Sequence, residues 1–231
     1  MTLVRVVLKR STRGAVGNEE LNNMKYKRLN IILIVDNKSR KKALNLASSI
    51  GMGKKEVFHI DDKNYFTHIT IYSPEFPEKN TPKVIKAIEE ISEGMDKFDL
   101  LVVGLNAEDG FVIINFEKTD RVAKTHETVV NALNQFRNGK IREKYLNEIK
   151  EGKYSKEQVE MIQKYGYPNV LKLYRPHLTL GRLTSQEVAE RVVGNLNSSN
   201  DLKTMKIIGI GISEMSPNGT CTNIIKEFDL K

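Results

Sequence analysis

The sequence has one cysteine, Cys221, and no tryptophan. A membrane-spanning helix needs about 18 consecutive apolar residues, and no apolar run in the sequence approaches that length. A single cysteine cannot form an internal disulfide, so a disulfide-stabilised secreted scaffold is excluded and a reducing compartment is favoured. We recognise no secretory signal with an apolar segment and a cleavage site. We therefore expect a cytoplasmic globular protein that does not contact a membrane.

Several motifs of catalysis and cofactor binding are also missing. No His-x-His, Cys-x-x-Cys or His-Glu-x-x-His spacing supports a metal site. The absence of a Gly-x-x-x-x-Gly-Lys loop argues against an NTP-consuming kinase or an ATP-dependent ligase, and the absence of a Gly-x-Ser-x-Gly elbow argues against a covalent hydrolase. The glycines of GIGISEM (209–215) are not a dinucleotide fingerprint. We expect neither a metal nor a cofactor.

Positive charge is concentrated at the start of the chain. Residues 1–42 hold 11 Lys and Arg but 3 Asp and Glu, whereas the two signs balance over 43–231, so the net charge of +8 comes from the first segment. Such an arm can attract phosphate backbones without regard to sequence. A solubilising tail, extra residues before an internal start at Met24 and a transit peptide are the alternatives. We divide the chain into a basic arm, 1–28, and one bilobal domain, 29–231.

Strands and helices alternate along the predicted domain. Apolar, β-branched runs predict the strands, and caps and turn residues mark the helices, with Ser39 and Thr81-Pro82 as starts and Asp109-Gly110 as a hairpin turn. The charged, helical segment near 138–167 interrupts the alternation and reads as an insertion, either a lid over a bound strand or a solvated hairpin.

The same order of elements occurs twice. After His68 the chain runs strand, helix, strand, Asp-Gly turn, strand, and after His177 it repeats this order with an Asn-Gly turn. Asp109 follows His68 by 41 residues, and Asn218 follows His177 by the same interval. A strand and a helix also precede each histidine strand. The repeat predicts a pseudo-two-fold α+β protein of two lobes.

Each lobe carries one His-apolar-Thr-apolar motif, in FTHITIYS (66–73) and RPHLTLGR (175–182). Residues i and i+2 of a strand share a face, so each histidine points the same way as the threonine that follows it. A two-fold arrangement sets two imidazoles and two hydroxyls around one cleft. One imidazole can accept a proton from an attacking oxygen, the other can protonate a leaving oxygen, and the hydroxyls can donate to phosphate oxygens.

The paired motifs resemble those of the 2H phosphoesterase superfamily, which includes 2′-5′ RNA ligase-like proteins and cyclic nucleotide phosphodiesterases. The resemblance covers roughly 29–231. It implies two antiparallel sheets flanking a central cleft with helices outside. It also implies catalytic histidines at His68 and His177 and phosphate-binding threonines at Thr70 and Thr179. In relatives the first histidine is often drawn as the acid, but the roles stay open here.

We predict a metal-independent phosphodiesterase that acts on RNA ends or nucleotides, at a 2′,3′-cyclic phosphate or a 2′-5′ linkage, as a monomer. A binding module with little turnover and a hydrolase of a cyclic or oligonucleotide signal are the alternatives, and cleavage is not distinguished from ligation. Further substrate-binding candidates near the motifs, two arginines and two aromatics, are Arg175, Arg182, Tyr72 and Tyr174. Tyr72 shares the predicted face of His68. His59 and His126 are interpreted as structural or exposed.

Overall fold

The computed structural model describes residues 24–51, 56–197, 202–216 and 219–231. In this part of the chain it has nine strands and six α-helices, the mixed α/β composition predicted from the sequence. The strands are β1 Tyr26–Val35, β2 Glu56–His59, β3 Ile69–Tyr72, β4 Glu75–Pro77, β5 Phe98–Glu108, β6 Phe111–Phe116, β7 His177–Leu183, β8 Thr204–Met215 and β9 Cys221–Asp229. The helices are α1 Asn37–Gly51, α2 Thr81–Glu93, α3 Asp120–Asn134, α4 Glu143–Lys150, α5 Lys156–Tyr165 and α6 Gln186–Asn197.

The nine strands form one antiparallel sheet that divides into two halves. One half has the order β3-β1-β8-β9, with β4 beside the start of β1, and the other has the order β2-β7-β6-β5. The halves join where β3 meets β7 and where β5 meets β8. Helices α2 and α3 pack on the first half, and α6 packs on the second. This is the fold class expected from the repeated order of elements.

The third strand of each repeat is exchanged between the halves. The first repeat contains β1, β3 and β5, but β5 pairs with β6 and β8 of the second repeat. In return β8 pairs with β1 along seven residue pairs, from Leu29 opposite Glu214 to Val35 opposite Ile207. Each half of the sheet therefore needs strands from both repeats.

Glycine occupies two positions where a side chain would be strained or would clash with the backbone, Gly110 and Gly181. Asp109 and Gly110 have positive φ values of 51° and 81° and form the predicted hairpin turn between β5 and β6. A Cβ on Gly181 would lie 2.7 Å from the carbonyl oxygen of Phe58, so glycine there lets β2 approach β7. The Asn218 of the second predicted turn lies outside the described residues.

Two helix starts differ in detail from the expectation. The cap of α1 is Asp36, whose carboxylate accepts a hydrogen bond from the backbone N–H of Ser39 at 2.8 Å, so Ser39 is not the capping residue. Thr81 begins α2 and the cap position is Asn80, with Pro82 in the first turn as expected. Local composition predicted both helices but placed each cap one to three residues too late.

Residues 143–165 of the predicted insertion form α4 and α5. Ser155 caps α5 with a reciprocal capping box with Gln158, and Gly166 ends the helix at a φ of 69°. Buried Arg137, directly before this segment, donates to the carbonyl of Lys164 at 3.1 Å and to the Asn134 side chain at 3.2 Å. These bonds hold the segment against the body of the protein. The division into arm, domain and insertion stays a prediction, and residues 1–23 lie outside the described ones.

Candidate functional site

The two motifs meet where the halves of the sheet join. Ile69 of β3 pairs with Leu178 of β7, and both side chains are fully buried. Because the pairing is antiparallel, continuing its register by one residue in each direction sets His68 opposite Thr179 and His177 opposite Thr70. Directly opposite residues of antiparallel strands have Cβ atoms about 5 Å apart. The register therefore brings all four predicted side chains to one face of the junction.

The same backbone contact orients both imidazoles. Nδ1 of His68 lies 2.8 Å from the carbonyl oxygen of Phe66, and Nδ1 of His177 lies 2.9 Å from that of Arg175. A carbonyl only accepts, so each Nδ1 carries a hydrogen and donates it. Nε2 is then the nitrogen left for proton exchange in each ring. The two motifs thus have the same tautomer for the same reason.

The surroundings of the two imidazoles differ. His68 is 5% exposed, and burial lowers its pKa, but the Cys221 thiol, the Phe66 carbonyl and the Asp62 carboxylate outweigh burial and raise the pKa above its usual value. His177 is half-buried, and burial together with the charge of His68 lowers its pKa despite the bond to Arg175. At a pH between the two pKa values, His68 holds a proton and His177 does not.

A buried polar network supports the first motif. Nδ2 of Asn30 donates to Oγ1 of Thr70 at 3.0 Å and lies 3.4 Å from Sγ of Cys221. Oγ of Ser213 lies 2.8 Å from the same sulfur, and Asn30, Ser213 and Cys221 are fully buried. Burial alone would raise the pKa of the Cys221 thiol. His68 and these donors have the larger, opposite effect, so the pKa lies below its ordinary value. The network links Thr70 to Cys221, the largest of the three groups that raise the pKa of His68.

A cavity of about 460 Å³ opens beside the second motif. His177 and Thr179 lie in its wall with Asn115 of β6, while α4, α5 and the residues after them form the opposite wall. The predicted insertion therefore encloses the site next to His177. His68 and Thr70 are not in the cavity wall, and His68 lies below the surface.

The two tyrosine candidates lie in the core. Tyr72 was expected at the cleft because strand alternation puts it on the face of His68, but it is fully buried and its hydroxyl donates to the carbonyl of Tyr165 at 2.5 Å. Tyr165, the last residue of α5, and Tyr167 after it cover that end of β3, which the alternation could not reveal. Tyr174 is 5% exposed, stacks on His126 at 3.9 Å, and donates to the carbonyl of Thr70 at 3.1 Å. Both side chains are buried and neither lines the cavity, contrary to the expectation that they contact the substrate.

The two arginine candidates lie at the surface. Arg175 lines the cavity but pairs with Glu108 at 3.1 Å. Arg182 lies over the ring of Phe111, with 4.7 Å between its central carbon and the ring centroid, and is outside the cavity wall. Arg175 alone of the two is placed to touch a molecule in the cavity.

The remaining two histidines are structural, as interpreted. His126 is buried between the carbonyl of Ile71, 2.9 Å from Nδ1, and the N–H of Leu171, which donates to Nε2 at 2.8 Å. Burial lowers the pKa of this fully bonded ring to about 4. Nδ1 of His59 lies 2.9 Å from the Glu56 carboxylate. Both ring nitrogens of His126 are therefore bonded, and His59 lies in β2 opposite Gly181, not opposite a histidine or threonine of the motifs.

Sequence reasoning missed four residues at the site. Asn30 and Cys221 are far from His68 in the chain and have no motif of their own. Arg28 falls in the predicted basic arm, yet it lies in β1 and lines the cavity. Arg142 of the predicted insertion also lines the cavity. The excess of arginine and lysine at the start of the chain was the one usable signal, and it pointed to a tail.

Comparisons with known proteins agree with this architecture. A model of the family described as protein of unknown function (DUF1045) matches residues 76–211, which is more than half of the chain. The chain belongs to this family. No curated protein matches the DUF1045 chain. Among the described residues there is no helix long and apolar enough to span a membrane and no cluster of three or more potential metal ligands.

Solved structures show the fold of the DUF1045 chain. TT0787 of Thermus thermophilus superposes with a TM-score of 0.54 at 14% identity, covering 88% of this chain and 97% of its own. LigT of E. coli gives 0.54 at 11% identity in its apo form and in complex with 3′-AMP, covering 90% of this chain and 99% of its own. Both neighbours are members of the 2H phosphoesterase superfamily. The chain has the 2H phosphoesterase fold, which confirms the fold expected from the paired motifs.

Proposed function

We propose that this protein is a metal-independent phosphodiesterase that acts on RNA ends or nucleotides, at a 2′,3′-cyclic phosphate or a 2′-5′ linkage. The observation that carries the proposal is the junction of the motifs, where each histidine lies opposite the other motif's threonine and each Nδ1 is held by a backbone carbonyl. Likeness to LigT supports the fold of such an enzyme, and LigT itself has been solved with 3′-AMP.

We assign different roles to the two histidines from the directions of their pKa shifts. His177, whose pKa is lowered, accepts a proton at Nε2 from the attacking water or ribose hydroxyl. The new P–O bond forms while the bond to the leaving oxygen breaks, and His68, whose pKa is raised, protonates that oxygen. The hydroxyls of Thr70 and Thr179 donate to the non-bridging oxygens as negative charge develops. Proton exchange with water then restores both rings.

Product analysis tests the proposal. Pure protein in EDTA is incubated with 2′,3′-cyclic nucleotides, 2′-5′ oligoadenylate and short RNAs, and the products are separated by chromatography. We expect cleavage of at least one of these diesters, because neither proton transfer needs a metal. Binding without a product from any of them would contradict the proposal and favour the binding module.

The pH dependence of kcat/KM should be bell-shaped, with limbs that belong to the histidine pair. Loss of the proton from His68 sets the alkaline limb. Replacing Cys221 with alanine removes the largest of the groups that raise the pKa of His68, and leaves the Phe66 carbonyl and the Asp62 carboxylate to oppose burial, which lowers it. We expect the alkaline limb of Cys221→Ala to move to lower pH, while the acid limb, set by His177, stays in place.

The measurement is a pH–rate profile with an NMR titration of the His68 ring. Met205→Leu, a substitution in the core of β8, is the matched control for a small loss of packing. A parallel shift of both limbs, or no shift, would show that Cys221 does not control His68.

A further inference from the structure

One end of the cavity is lined by residues outside the two motifs. Beyond His177 and Thr179 its wall contains Arg28 of β1, Arg142 directly before α4, and tyrosines of the predicted insertion. Arg28 and Arg142 are both half-buried and come from positions more than a hundred residues apart. They are close enough for the charge of Arg142 to add to burial, the main cause, in lowering the pKa of Arg28. The fold holds two guanidinium groups together beside the motifs.

One carboxylate accompanies the two guanidinium groups. Glu75 lies 3.5 Å from Nε of Arg142, at a geometry that makes no hydrogen bond, so this buried Nε has no hydrogen-bond partner among the described residues. Of the other charged residues in the cavity wall, Arg175 pairs with Glu108 at 3.1 Å, Lys144 pairs with Glu148 at 3.7 Å, and Asp109 is an exposed carboxylate of the hairpin turn. In the described part of the chain, Arg28 and Arg142 are accompanied by Glu75 alone, so these three groups together carry one positive charge, and a partly buried cation is stabilised by an anionic ligand.

Many guanidinium donors remain for a ligand. Within the described residues Arg28 donates one hydrogen bond, from Nε to Oγ of Ser73 at 3.1 Å, and both of its Nη groups are without a partner. Arg142 donates from Nη1 to the hydroxyl of Tyr145 at 3.4 Å and lies over that ring. Packing on Tyr145 fixes the plane of the guanidinium. Planar, oriented guanidinium pairs match the oxygens of a phosphate group bidentately.

Tyrosines complete the walls. The ring of Tyr145 packs edge-on against Tyr167 and Tyr154, with centroids 6.4 and 6.0 Å apart. Burial raises the pKa of the Tyr167 hydroxyl to about 12, so it stays protonated and able to donate. These groups provide donors and aromatic surface but no further negative charge.

We infer that Arg28 and Arg142 form a subsite for a second phosphate group of the substrate, next to the phosphate that the two motifs would cleave. The inference rests on the proposed function and narrows its substrate class to molecules with two phosphates. The second phosphate is either a terminal phosphate of a nucleotide or the next phosphodiester of an oligonucleotide, and the shared chemistry is a phosphate anion between two arginines. The insertion that carries Arg142 is what builds this subsite.

Turnover of matched substrates tests the subsite. Adenosine 2′,3′-cyclic phosphate is compared with the same molecule carrying a 5′-phosphate and with a 5′-hydroxyl dinucleotide that ends in the cyclic phosphate. We expect kcat/KM of the wild type to be about 10- to 100-fold higher with the second phosphate, since charge-assisted hydrogen bonds give advantages of this order. A stronger gain with the 5′-phosphate indicates a terminal phosphate, and a stronger gain with the dinucleotide indicates an oligonucleotide.

The variant Arg142→Gln should lose about tenfold or more of that preference, measured as the ratio of kcat/KM values within the one variant, and Arg28→Gln should do the same. Arg191→Gln is the matched control, because Arg191 pairs with Glu187 on the exposed face of α6 and lies outside the cavity wall. Thermal melts exclude misfolded variants. An equal kcat/KM for all three substrates in the wild type, or a full preference in both variants, would overturn the subsite.

A binding measurement separates failure of the subsite from failure of the proposed function. Calorimetry compares adenosine 3′,5′-bisphosphate with 3′-AMP and needs no turnover. Tighter binding of the bisphosphate by about tenfold or more, lost in Arg142→Gln and kept in Arg191→Gln, supports the subsite even if no diester is cleaved. Equal affinity for the two nucleotides contradicts the subsite even if cleavage is found.

Discussion

Replacing His68 or His177 with alanine should lower kcat/KM by about 10²- to 10⁴-fold, which is the contribution of a positioned general acid or base. Each substitution removes the Nε2 that would exchange the proton in the proposed mechanism. The measurement is steady-state kinetics on whichever diester the wild type cleaves. Because the two rings act on one phosphate, the double variant should lose far less than the product of the two single losses.

His59→Gln is the matched control for these substitutions. His59 is a partly exposed histidine of β2 that contacts Glu56 and lies opposite Gly181 of β7. Activity of His59→Gln within twofold of the wild type would exclude a general effect of losing a histidine. Full activity in either alanine variant at the motifs would contradict two-histidine catalysis.

Replacing Thr70 or Thr179 with valine should lower kcat by about 10²- to 10³-fold, the loss usually seen when one donor to a developing negative charge is removed. Valine keeps the shape of threonine and removes the hydroxyl. Oγ1 of Thr70 accepts from Asn30, so its own hydrogen is free to donate toward the substrate. Thr179 is half-buried in the cavity wall, where its hydroxyl can reach the same phosphate.

Serine variants at Thr70 and Thr179, and the unfolding free energy of the valine variants, distinguish loss of the hydroxyl donor from loss of stability. Serine at either position keeps the hydroxyl and should restore most of the activity. Thr70→Val also removes the acceptor of a buried Asn30 bond and should cost roughly 1 kcal/mol of unfolding free energy, whereas Thr179→Val should cost less. A loss of activity that serine does not rescue would mean that the hydroxyls are not the donors.

The motif strands and the repeat were predictable because they depend on local patterns. Alternation placed His177 and Thr179 on one face, and the Asp109-Gly110 pair marked a turn that needs positive φ at both residues. The same alternation failed for Tyr72, because a strand pattern gives the face of a side chain but not what covers that face. In this protein the carbonyl of Tyr165, 93 residues later, covers it.

The supporting groups of the site were not predictable for a similar reason. Asn30 and Cys221 meet across 191 residues of chain, and no spacing rule links them. Arg28 belongs by composition to the basic start of the chain, but it lies in β1, opposite Glu75 of β4. The cap at Asp36 was missed because Ser39, three residues on, is an equally good capping residue by type. Most of these residues contact partners that are far away in the chain, and local sequence patterns do not reveal such contacts.

The exchange of strands between the repeats also governs when the site can form. Phe66, whose carbonyl orients His68, donates its own backbone N–H to the carbonyl of Cys221 in the last strand, and β1 pairs with β8. During synthesis the first motif therefore waits for about 150 further residues before its histidine has its neighbours, because residues far apart in the chain must first close a long loop. We therefore expect the proposed activity only from a chain that includes β8 and β9, and expect none from a truncated product that carries both motifs but lacks these two strands.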